Sequence, residues 1–64
     1  MNWELYEVWA EDDAGQEELI ETTNSRKQAF EMAQAQLDLG YNASIVYLEN
    51  EEGALEKVKR FEHG

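Results

Sequence analysis

The chain has 64 residues, no cysteine, and 15 acidic against 5 basic residues, for a net charge of −10. That length is one domain, residues 1–64, able to bury only about 60% of its unfolded surface, and without cysteine it has neither disulfides nor thiolate zinc motifs. The few bases, Arg26, Lys27, Lys57, Lys59 and Arg60, exclude a clustered basic surface for direct nucleic-acid binding.

The first predicted element is "WELYEVWA", residues 3–10, whose aromatic and branched residues suit a strand. An acidic stretch around Gly15 then turns the chain, and "EELIETT", residues 17–23, reads as a shorter second strand pairing with the first. Ser25 with Gln28 has capping-box spacing, and "RKQAFEMAQAQLDL" holds good helix formers with no β-branched residue. Ala29, Phe30, Ala33 and Leu37 form its core-facing stripe and Gly40 supplies the stop, so the helix is predicted over about residues 25–39. "NASIVYLEN" reads as a third strand, "ENEEG" as a turn and "ALEKVKRFE" as a fourth strand.

The fold class is therefore α+β, a ββαββ chain with a four-stranded antiparallel sheet and one helix on one face. Strands one and three are the most apolar and belong in the centre. Lys57, Lys59 and Arg60 mark strand four as an edge. Spatial order 2-1-3-4 follows. The alternative is 2-1-4-3, with strands one and four central and parallel.

One helix leaves the other sheet face open. Alternation puts Trp3, Leu5, Glu7 and Trp9 on one face and Glu4, Tyr6, Val8 and Ala10 on the other. A mid-strand charge such as Glu7 is costly under a helix, so Tyr6, Val8 and Ala10 are expected to face it. Trp3, Leu5 and Trp9 then form an apolar patch on the open face. Such patches mark interaction sites, and tryptophan is enriched among the residues that dominate binding energy. The competing reading is that both tryptophans fold over the sheet as extra core. As an interface, the patch suits a protein partner or a second copy in a two-fold homodimer.

Glu11, Asp12, Asp13, Glu17 and Glu18 crowd around Gly15. With Gly15 at position 6 of an EF-hand-type calcium loop, Ala10 falls at position 1 and Ala14 at position 5, where side-chain oxygens are needed. A solvated acidic turn is the simpler reading, with no metal and no cofactor. From Met1 to Asn24 there are acids and no base. The alternative function is thus an acidic mimic of nucleic-acid phosphates that inhibits a basic or DNA-binding protein.

No enzyme is expected. Ser25 is assigned to a cap, Ser44 to a strand interior, and His63 sits beside the terminus, so no nucleophile–base arrangement can be positioned. No glycine-rich phosphate loop occurs. Arg26 and Lys27 lie at the unfavourable end of the helix dipole, and pairing with nearby acids is their expected role. No apolar run approaches the roughly 18 residues of a membrane span. "MNWELYEVWAEDD" has no basic start followed by an apolar stretch, as a secretory signal would. The expected location is cytoplasmic, with no membrane association.

Thr23-x-Ser25, Ala29, Ala33, Leu37, Gly40-Tyr41, "IVY" and "GALEKVKRF" together resemble short bacterial proteins of ββαββ build and unknown function. The resemblance covers nearly the whole chain. It rests on a cap, a helix stripe, a stop and two strands, so it implies the fold and no activity.

Overall fold

The computed structural model describes residues 4–63 and contains β1 (Leu5–Glu11), β2 (Glu17–Thr23), α1 (Arg26–Asp38), β3 (Ala43–Glu49) and β4 (Leu55–Glu62). The strands form one antiparallel sheet in the order β2-β1-β3-β4. The two most apolar strands lie in the middle and the lysine-bearing strand lies at an edge, as their composition predicts. The parallel 2-1-4-3 arrangement is not adopted.

Local chemistry sets both ends of α1. The Gln28 backbone N–H donates to Ser25 Oγ at 3.2 Å. The reciprocal half of a capping box does not form, because Gln28 Oε1 accepts from the Thr23 hydroxyl at 3.0 Å. The Ser25 N–H turns instead to Thr23 Oγ1 at 3.2 Å. At the far end Gly40 has φ +107°, a conformation that side chains strain to reach. Its N–H donates to the Leu37 carbonyl at 3.0 Å and the Tyr41 N–H to Gln36 at 3.2 Å, closing a Schellman motif.

Tyr6, Val8 and Val46 of the sheet pack against Ala29 and Ala33 of α1, all nearly inaccessible. Phe30, Met32, Leu48, Val58 and Phe61 close the rim of this core. The alanines let the helix approach closely: Ser44, fully buried on β3, donates its hydroxyl to the Ala33 carbonyl at 2.7 Å. Tyr6, Val8 and Ala10 therefore face the helix, and Leu5, Glu7 and Trp9 do not. Among the described residues Arg26 forms no ion pair at the helix start. Its Nε donates to Tyr6 Oη at 3.1 Å and its guanidinium lies 5.6 Å from the Tyr6 ring centre.

The two hairpins repeat one design. Asp12 Oδ1 accepts from the N–H groups of Ala14 and Gln16, each at 2.9 Å. Asn50 Oδ1 accepts from Glu52 at 2.9 Å and Ala54 at 3.0 Å. Gly15 and Gly53 follow with φ +81° and +83°. Each outer strand then shifts register by one residue, at Ile20 in β2 and at Val58 in β4. Val8 and Val46, which correspond in the two hairpins, pair across the central seam. The sheet thus has an approximate two-fold axis at that pair.

Candidate functional site: the open face of the sheet

The register arranges the uncovered face in rows across the strands. Leu19, Trp9, Ile45 and Arg60 form the middle row. Glu17, Glu11, Ala43 and Glu62 lie on the side of the acidic turn, and Thr22, Glu7, Tyr47 and Lys57 on the other. Leu5, Glu49 and Leu55 complete the face.

This face shields part of itself. Ile45 and Ala43 are each only 1% exposed although no helix lies over them. Trp9, beside Ile45 on β1, is half-buried and meets Tyr47 edge-to-face, with ring centres 6.3 Å apart and planes at 86°. The Trp9 indole Nε1 donates to Glu7 Oε1 at 3.0 Å. Arg60 reaches across β3 to Glu11 Oε2 at 2.7 Å and also pairs with Glu62. Hydrogen bonds to Glu62 and then Glu11 raise its pKa further above the ordinary guanidinium range.

Tyr47 Oη spans β1 to donate to Glu17 Oε1 at 3.3 Å. Partial burial, then the nearby Glu17 charge, raise the Tyr47 pKa above the usual 10. Trp9, Glu17, Tyr47 and Leu55 line a shallow recess of about 320 Å³. Leu19 and Leu55, 48% and 41% exposed, present the freely accessible apolar surface on the two edge strands.

Of the residues expected to form the patch, Leu5 and Trp9 stand on the open face, both half-buried, and Trp3 lies outside the described residues. Leu19, Ile45, Tyr47 and Leu55 share this face, and the sequence alone does not place them in the patch. The missing signal is register: only cross-strand pairing brings them beside Trp9.

The acidic residues divide rather than gather. Asp12 builds the turn and Glu11 is neutralised by Arg60. Glu17 pairs with Glu11 on the open face, while Glu18 pairs with Ala10 on the helix side. Glu18 accepts from Tyr41 Oη at 2.7 Å, and this hydrogen bond, with the Glu18 charge, raises the Tyr41 pKa. Among the described residues no three histidine, aspartate or glutamate side chains stand together to hold a metal ion. No helix among them is long and apolar enough to cross a membrane. Comparison with protein families, curated proteins and solved structures gives no match for this chain.

Proposed function

We propose that this chain is a non-enzymatic protein-interaction module, an adaptor that binds a protein partner through the open face of its sheet. The observation that carries the reading is the accessible apolar pair Leu19 and Leu55 flanking the aromatic pair Trp9 and Tyr47, on a face that no element among the described residues covers. A two-fold homodimer is one form the contact takes, since it buries area that so small a domain lacks. The absence of cysteine suits a reducing cytoplasm.

Leu19→Glu with Leu55→Glu tests the reading, because both positions are exposed and the fold should survive. Association, read by sedimentation equilibrium for self-contact and by capture for another protein, should be lost while helical circular dichroism is unchanged. Unaltered association would rule the open face out.

The first hairpin supports a second reading, an acidic mimic that occupies a basic or DNA-binding protein. What favours it is that Asp13, Glu17 and Glu18 form no ion pair among the described residues. Binding of that kind should weaken steeply with salt and on neutralising these three residues.

A further inference from the structure

The recess on the open face has the chemistry of a receptor for an organic cation. Trp9 and Tyr47 meet edge-to-face at 86° and both rings line it, with Leu55 and Glu17 completing the lining. A cation within about 6 Å of such ring centres is attracted by their negative faces. We propose that this recess takes the ammonium group of a lysine side chain presented by a basic, partly apolar segment of a partner protein. The proposal rests on the open-face reading and names the partner's chemistry.

Three observations converge on it. Three of the chain's five cations are engaged elsewhere: Arg26 lies over Tyr6, Lys59 over Phe30 and Phe61, and Arg60 pairs with Glu11 and Glu62, while Lys57 stands beside Tyr47 in its row. Among the described residues none lies over Trp9 or Tyr47. Carboxylates are already drawn to both rings, Glu7 to the indole N–H and Glu17 to the phenol. A net charge of −10 attracts a basic segment over long range, and Leu19 and Leu55 can receive its apolar side chains. Perpendicular rings suit a compact ammonium better than a planar guanidinium, which stacks on one face at a time.

The test is a titration of the full chain with a capped Ala-Lys-Leu-Lys-Ala peptide at about 150 mM salt, where long-range attraction is largely screened. The Trp9 indole N–H resonance reports on the recess. A saturable shift is expected. It should persist when the lysines are trimethylated, which keeps the charge, and vanish when they are acetylated. Glu17→Gln should weaken binding roughly fivefold. Glu52→Gln, in the opposite hairpin loop, should change it by less than about twofold. No saturable shift, an equal shift with acetylated peptide, or equal losses from the two glutamine variants would each overturn the cation site. If the peptide fails while Leu19→Glu with Leu55→Glu still abolishes association, the open face stands without a cation recess. Cross-saturation from a second copy in place of any peptide effect would replace the lysine segment with self-association.

Discussion

Tyr47 is the residue whose chemistry depends most on its place in the sheet. Its burial and the Glu17 charge disfavour the phenolate, so the folded pKa lies above the unfolded value near 10. Tyr41 is shifted the same way, first by its hydrogen bond to Glu18. A raised folded pKa contributes stability that is fully present below the unfolded value and is lost as pH rises through the folded one. Stability should therefore fall with pH above about 10. It should fall less in the Tyr41→Phe, Tyr47→Phe double variant, as followed by urea unfolding. An identical decline in both proteins would contradict the assignment. On the helix side, Val8→Ala removes a fully buried side chain from the central seam and should cost about 2 kcal/mol. That Val8 points inward was legible in sequence because Glu7, beside it, would have to be buried otherwise. In "ASIVYLE" the one charge, Glu49, stands at the strand end and Ile45, Val46, Tyr47 and Leu48 put apolar residues on both faces, so no mid-strand marker separates them. The division into inward Ser44, Val46 and Leu48 against outward Ile45 and Tyr47 needed the pairing with β1.

The elements themselves were readable where a local device fixes them. The Ser25 cap and the Gly40 stop bracket α1 within a residue of the expected ends, since each satisfies backbone groups that the helix leaves unpaired. β4 was readable as a strand and not as a face. Val58 and Phe61 both pack toward the helix although three positions apart, which simple alternation forbids. The bulge at Val58 supplies the extra residue that restores the phase. The turns give a sharper test. Asp12 and Asn50 perform the same task, each accepting two backbone N–H groups through one side-chain oxygen. Asp12→Asn should thus change stability by less than about 0.5 kcal/mol, while Asp12→Ala should cost about 1 kcal/mol. If the asparagine variant loses as much as the alanine one, the negative charge and not the turn geometry is what Asp12 contributes. Where geometry is what Asp12 contributes, the acidity of this loop is mostly incidental to its shape, which is why the sequence alone could suggest a metal loop or a decoy.

For the molecule as a whole, charge and coverage pull in different directions. A net charge of −10 on so small a body repels itself, so stability should rise between about 10 and 150 mM salt. A fall over that range would mean that the Arg60 pairs with Glu11 and Glu62 outweigh the general repulsion. The same charge opposes self-association at low salt and favours a cationic partner, which links the surface electrostatics to the choice of what covers the open face. On the proposed function, another protein docks on this face and not on the exposed side of α1. The most direct measurement is site-specific photo-crosslinking in lysate of the source organism, with the probe at Leu55 on the open face or at Gln34 on the exposed side of the helix. The account predicts a discrete protein adduct, with another protein or a second copy, from position 55 and none from position 34. Adducts from position 34 alone, or from neither position, would contradict it.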